Sequence, residues 1–319
     1  MLDARLPLAL DAGLIDAPVA IVGAAVDTDL SALPERPDLV VTRQPDFDRF
    51  TERGFTCHTA ITDAPATIIV RLPRERALAR DRIARAMATG ARVIVDGQKT
   101  DGIDSMLKAC RARGEVGDVI SKAHGKIFAM TGGDFSNWIA DPARNADGYW
   151  TAPGSFSADA IDPGSAALSA ALAPLEGTVA DLGAGWGYLS HRALRSPAIE
   201  AIHLVEADLP SLDCARRNVD DPRAVFHWAD ATAWTPPEPI RHVITNPPFH
   251  KGRAGAPELG RAFIANAARI LAPRGTLWMV ANRHLPYEAA LTELFAEVAE
   301  LPGTTAFKLY RAARPRRKR

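Results

Sequence analysis

Through its second half the chain alternates short apolar runs with amphipathic stretches, each bounded by turn residues. Thr178 to Asp181 reads as a strand, Tyr188 to Leu194 as a helix, Ala201 to Glu206 as a strand and Leu209 to Asn218 as a helix. Strands follow at Val225 to Trp228 and Arg241 to Thr245, then a helix near Leu259 to Leu271 and a strand at Thr276 to Ala281. A helix near Tyr287 to Phe295 and a strand near Ala306 to Tyr310 close the series. Such alternation implies a parallel sheet covered by helices on both faces. Ahead of it, Asp162-Pro163-Gly164-Ser165 places an N-capping acid before a proline at the first helical position, so a helix through Ala173 should lead into this domain.

The first half echoes the second. Val19-Ala20-Ile21-Val22-Gly23-Ala24-Ala25 recurs 160 residues later as Val179-Ala180-Asp181-Leu182-Gly183-Ala184-Gly185. Thr67 to Pro73, a helical Arg74 to Thr89, Gly90 and the strand Arg92 to Asp96 correspond to Val243 to Pro248, the helix to Leu271, Gly275 and the strand Thr276 to Ala281. The copies differ where chemistry is possible. Ile21, Ala25 and Arg71-Leu72-Pro73 stand against Asp181, Gly185 and Asn246-Pro247-Pro248, so only the second copy keeps a candidate site. Met130 to Pro153 is rich in turn residues, which sets two α/β domains at 1–140 and 141–319.

Composition narrows the class. At 319 residues the chain can bury two cores, and no apolar run approaches the ~20 residues that span a bilayer. Its first residues lack a secretory signal, so the expected location is cytoplasmic, without membrane attachment. Cys57, Cys110 and Cys214 lie far apart without metal-ligand spacing, which argues against a zinc site and a disulfide framework, and no metal is expected. Net charge is zero, yet Arg311, Arg314, Arg316, Arg317, Lys318 and Arg319 crowd the C-terminus. Such a tail is either a solvated end or a phosphate-binding arm.

Val243 to His250 carries the strongest chemical signal. Two prolines after a buried strand stop any ladder, so a loop begins at the strand's carboxyl end, where open α/β sheets bind ligands. The Asn246 side-chain oxygen and the Pro247 carbonyl, held rigid by Pro248, can both accept from one planar NH2 group. Phe249 offers a face for the ring that carries it. Pulling the amine hydrogens out of plane localises its lone pair, and the expected outcome is alkylation at nitrogen. His250 fits a loop hydrogen-bond partner better than a base, since a methylated ammonium loses its proton to water.

Asp181-Leu182-Gly183-Ala184-Gly185-Trp186-Gly187 joins a strand to a helix with glycines that let backbone approach a ligand. An acid before the loop disfavours a diphosphate and favours a cofactor with a cationic amino-acid end. Glu206 at the next strand end suits ribose hydroxyls, and Asp230 after the third suits an adenine amine. Together they describe S-adenosylmethionine better than a dinucleotide.

Asp181 to Gly187, Glu206, Asp230 and Asn246 to Phe249 resemble the motifs of class I S-adenosylmethionine-dependent methyltransferases acting on amino groups. More narrowly, the chain resembles ribosomal RNA guanine-N2 methyltransferases of the RsmC type. The carriers are Gly154-Ser155-Phe156-Ser157 leading to Asp162 through Ser165, Asn246 to His250 followed by Gly252, Val280-Ala281-Asn282 with Leu285-Pro286-Tyr287, and Phe307 to Ala312. In the first half, Val93 to Gly97, Gly102-Ile103 and Ser105 are similar too.

The resemblance implies tandem Rossmann-like domains with a degenerate first copy that supports the catalytic half and helps hold RNA. It implies that Asp181, Gly183, Ala184, Gly185 and Gly187 contact the methionine end of the cofactor, with Glu206 on the ribose and Asp230 on the adenine. Asn246, Pro247 and Pro248 would orient the amine and Phe249 would stack on the guanine. Phe156, His250, Arg314, Arg316 and Arg317 are candidate RNA contacts. The implied acceptor is 16S ribosomal RNA in the small subunit. Methylation of large-subunit guanine, N6-adenine methylation and a non-catalytic RNA-binding role in ribosome assembly are the rival readings. Glu206 replaces the commoner Asp, and Trp186 is bulky enough to narrow the methionine pocket.

Overall fold

A computed structural model describes residues 2–62, 65–248, 250–251, 254–255 and 257–317. The chain divides into two units, Met1–Asp141 and Pro142–Arg319.

In the first unit, α1 (Leu6–Asp11) precedes β1 (Val19–Val22), β2 (Asp38–Val40), α2 (Gln44–Glu52) and β3 (Cys57–His58). Then come β4 (Thr67–Arg71), α3 (Arg76–Ala88), β5 (Arg92–Gln98), α4 (Ile103–Arg111), β6 (Glu115–Lys122) and β7 (Gly125–Thr131). The strands form one sheet in the order β3-β2-β1-β4-β5-β7-β6. Apolar clusters cover both faces, Ala20, Val22, Ile68 and Val70 facing one way and Val19, Ile21 and Ile69 the other. That explains why its strands read as unbroken apolar runs instead of alternating ones. Arg5 and Asp96, both essentially inaccessible, form an ion pair at 2.6 Å within this unit, and Arg5 also donates to the Lys122 carbonyl at 2.9 Å.

The second unit begins with the hairpin β8 (Ala143–Arg144) and β9 (Trp150–Thr151), then α5 (Pro163–Ala171), β10 (Gly177–Leu182), α6 (Tyr188–Ala193) and β11 (Ile199–Glu206). It continues with α7 (Leu209–Asn218), β12 (Ala224–Trp228), β13 (Ile240–Thr245), the short strands β14 (His250–Lys251) and β15 (Ala254–Gly255), and α8 (Pro257–Ile270). The last elements are β16 (Leu271–Asn282), α9 (Glu288–Leu294), β17 (Phe295–Leu301) and β18 (Phe307–Pro315). The main sheet runs β12-β11-β10-β13-β16-β18-β17, the same order as in the first unit.

Strand registers agree residue for residue. Val19 lies opposite Thr67 and Thr67 opposite Arg92, as Val179 lies opposite His242 and His242 opposite Thr276. Counting along the strands, Ile21 holds the place of Asp181, Arg71 that of Asn246, and Asp96 that of Val280.

Two expectations change. The parallel arrangement stops at β16, because β18 pairs antiparallel with both β16 and β17, and β17 itself has no counterpart in the sequence reading. Its residues are largely exposed at the sheet edge, so it lacks the apolar signature of the buried strands. The arginine tail is also not an unattached arm. Arg314 pairs with Glu297 at 3.2 Å, Arg316 donates to the Leu294 and Phe295 carbonyls, and Arg317 donates to those of Arg269 and Leu271. Since β18 runs antiparallel to β16, these arginines sit at the edge where the parallel strands begin, opposite the end that carries Asn246. Lys318 and Arg319 lie outside the described residues.

Candidate functional site

The site lies at the carboxyl ends of β10, β11 and β13. Leu182 leaves β10 and the chain turns through Gly183, Gly185 and Gly187, all with positive φ, before α6 begins. A Cβ on Gly187 would meet Val219 at 2.9 Å, so glycine there permits close packing of the turn on α7. One on Gly185 would meet nothing within 4 Å; its glycine answers to φ +55° and leaves open space before the loop.

Asp181, under that loop, is wholly buried. Its Oδ2 accepts from Ser190 Oγ at 2.7 Å, while Oδ1 has no partner among the described residues. Burial pushes the carboxyl up to about 7, the nearby Glu206 charge adds to this, and the Ser190 hydrogen bond opposes it. A buried carboxylate with an orphan oxygen suits a cationic ligand group. Glu206 accepts from the Gly185 amide at 2.8 Å through Oε2 and from the Asp208 amide at 2.8 Å through Oε1, so it shapes the glycine turn directly. Asp230 Oδ1 accepts from the Thr232 amide at 2.8 Å and its hydroxyl at 2.7 Å, which folds the turn after β12.

Asn246 follows β13. Its Nδ2 donates to Asp162 Oδ2 at 2.9 Å and to Ser165 Oγ at 2.8 Å, and the same Asp162 oxygen accepts from the Ser165 amide at 2.7 Å as the cap of α5. Both amide hydrogens are thereby committed, and Oδ1 is the remaining polar atom of the side chain. Pro247 is buried and Pro248 exposed. Phe249 and the His250 side chain lie outside the described residues, as does Gly252; the backbones of β14 and β15 pair antiparallel just beyond.

One cleft is lined by Phe156, Asp162, Ser165, Gly183 to Trp186 and Asn246. The structure therefore brings the glycine loop, the asparagine and Phe156 together. Phe156 stands 63% exposed at its rim, where its phenyl ring is accessible to a ligand in the cleft. Glu206 and Asp230 do not line this cleft and sit at the neighbouring strand ends. Arg314, Arg316 and Arg317 belong to the opposite edge.

Trp186 does not plug the loop. Its indole is buried against Tyr149 and Tyr188 at centroid distances of 5.0 and 5.9 Å and donates to the Phe156 carbonyl at 2.9 Å. Sequence reasoning missed three ties. Asp162 and Ser165 read as a helix start and as part of the family resemblance, without their tie to Asn246, and Ser190 carried no signal. Asn218 accepts from the Trp150 amide at 2.7 Å and donates at 2.8 Å to the carbonyls of Trp150 and Trp186, clamping the glycine turn to the β9 segment.

Known proteins resemble this chain in sequence and in fold. Residues 148–311, more than half of the 319-residue chain, match the model of the methyltransferase small domain. A ribosomal RNA small subunit methyltransferase C of Alteromonas mediterranea is 27% identical over 81% of this chain and 76% of its own length. A ribosomal RNA large subunit methyltransferase G of Shewanella amazonensis is 27% identical over 77% of this chain and 69% of its own. Among solved structures, a T. thermophilus 16S rRNA N2 methyltransferase in complex with AdoMet and guanosine superposes with a TM-score of 0.79 at 25% identity, covering 94% of this chain and 88% of that one.

Proposed function

The chain belongs to the methyltransferase small domain family, and from that premise we propose that it transfers a methyl group from S-adenosylmethionine to the exocyclic N2 amine of a guanine in small-subunit ribosomal RNA. The observation that carries this reading is the Asn246 amide, fixed by its nitrogen in the same cleft as the glycine loop over a buried carboxylate. The names of the similar proteins, including a solved 16S enzyme with AdoMet and guanosine, support the substrate and the cofactor.

The residues fit the cofactor. The orphan oxygen of Asp181 suits its cationic end, Gly185 leaves open space before the loop, and Glu206 and Asp230 stand at the strand ends beyond. Gly187 keeps the turn packed. Bound there, S-adenosylmethionine supplies a methyl carbon on cationic sulfur. Asn246 Oδ1 and the Pro247 carbonyl accept from the two N2 hydrogens, and Phe249 and Phe156 give the base apolar faces. The N2 nitrogen would take up that methyl with the C–S electron pair staying on sulfur, and the surplus proton would leave to water. Positioning supplies most of the rate, so no base or metal is required of the protein. Among the described residues no metal-binding cluster occurs and no helix is long and apolar enough to cross a membrane. The setting that suits this substrate is the cytoplasm. The first unit, with Ile21, Ala25 and Arg71 at the site positions, acts as a support that helps hold RNA.

The test is methyl transfer from labelled cofactor to unmodified small and large ribosomal subunits, followed by nucleoside analysis. Label in N2-methylguanosine of the small subunit is the expected result. The same label in the large subunit alone would favour the Shewanella amazonensis relative's reading. Label in N6-methyladenosine, or none despite cofactor binding, would refute the proposal. Asn246→Ala should lower turnover by on the order of 10²-fold while cofactor affinity holds.

A further inference from the structure

We infer that Asp162, with Ser165 beside it, is a positioning residue that decides which end of the Asn246 amide meets the substrate amine. The inference rests on the reading of this cleft as an amine methylation site. An asparagine amide has two ends of nearly equal size and opposite polarity, and half a turn about its last torsion exchanges them. An amine substrate needs the oxygen, because the other orientation sets donor against donor. A carboxylate only accepts hydrogen bonds, so the end of Asn246 that faces Asp162 must be nitrogen. The second amide hydrogen goes to Ser165 Oγ at 2.8 Å, against 2.9 Å to Asp162 Oδ2.

The choice of end is thus made before substrate arrives. A carboxylate on the amide nitrogen also draws electron density toward Oδ1 and strengthens it as an acceptor. Asp162 comes from a segment 84 residues away and is itself anchored as the cap of α5. The cap and the orientation of Asn246 are therefore one device: the start of α5 aims the carboxylate.

The two roles separate by substitution. Asp162→Ser keeps a capping hydroxyl of comparable quality but is too short to hold Asn246. Asp162→Asn keeps both a cap and an oxygen acceptor. Wild type, these two variants, Asn246→Ala and the Asp162→Ser/Asn246→Ala double variant are compared in full-length protein on unmodified small subunits. The readouts are kcat and calorimetric affinity for S-adenosylmethionine.

The expected result is a loss of about tenfold in kcat for Asp162→Ser, the rate equivalent of ordering one side chain anew, with cofactor affinity held within about twofold. Asp162→Asn should recover most of the loss, and the double variant should be no slower than Asn246→Ala. Equal losses from Asp162→Ser in the presence and absence of Asn246 would overturn the inference, because Asp162 would then act without it. Full activity of Asp162→Ser beside a crippled Asn246→Ala would overturn it too, with the methylation reading intact. Full activity of Asn246→Ala would remove both.

Discussion

Replacing Asp181 by Asn separates the cost of the cofactor site from its use. The carboxyl is wholly buried and raised from 3.8 to about 7. Each pKa unit corresponds to about 1.4 kcal/mol, so holding this group ionised above neutrality costs the free protein on the order of 4 kcal/mol. The direction follows from proton counting. Between about 4 and 7 the folded state keeps a proton that the unfolded state has released. The contribution of this group to stability is therefore fully present below about pH 4, falls as pH rises, and is gone above about 7. Asp181→Asn has nothing to ionise. The stability of wild type minus that of Asp181→Asn should fall by a few kcal/mol between pH 4 and 8 and then level off.

Urea unfolding at several pH values measures this difference. Tryptophan fluorescence suits it, because five of the six tryptophans, Trp150, Trp186, Trp228, Trp234 and Trp278, belong to the second unit. Saturating S-adenosylmethionine at pH 8 should then stabilise wild type much more than it stabilises Asp181→Asn, since a cationic partner offsets the buried charge. Parallel pH curves for the two proteins would refute the argument. So would equal stabilisation by the cofactor.

The remaining expectations concern the surroundings of the site. Asn218→Ala removes two side-chain hydrogen bonds to Trp150 and one to Trp186; it should cost about 2–3 kcal/mol and raise KM for the cofactor, as read by unfolding and kinetics. Truncation after Pro315 removes the carbonyl contacts of Arg316 and Arg317. Its melting temperature should drop, while the salt dependence of RNA binding stays unchanged if the tail is structural; a shallower salt slope would restore it as a phosphate contact. His203 and His227, 2.9 Å apart, are both held below the ordinary histidine range, chiefly by burial. Stability should therefore fall as pH drops below about 6.5, where the unfolded chain takes up protons. His227→Gln should flatten that decline in the same urea series.

The duplication was legible because strands buried on both faces must stay apolar, and the paired registers follow from the same constraint. Asp181 and Asn246 were legible as polar residues at the ends of such strands, where burial makes polarity expensive. Asp162 was only half legible: its cap on Ser165 is local, but its hold on Asn246 depends on how α5 meets β13. The fates of Trp186 and the tail arginines were equally hidden. An indole in a glycine loop and a cationic terminus read alike whether they face ligand, solvent or protein. β17 escaped notice because an exposed edge strand needs little apolar pattern and takes its shape from β18.

The matched registers also bear on what it would take to build a site in the first unit. Building a site there would require an acid at Ile21 and an amide at Arg71, which lie on adjacent paired strands of one sheet, and a glycine at Ala25 just beyond β1. Taken singly, each change is harmful or idle: an acid at Ile21 enters a fully apolar cluster with no ligand to receive, and an amide at Arg71 has no cofactor to serve. The opposite trade is easy in the second unit, since isoleucine in place of the buried Asp181 carboxylate removes a large desolvation cost. At the place of Asp181 the first unit carries isoleucine, and its sheet there holds no buried carboxylate that a ligand must offset.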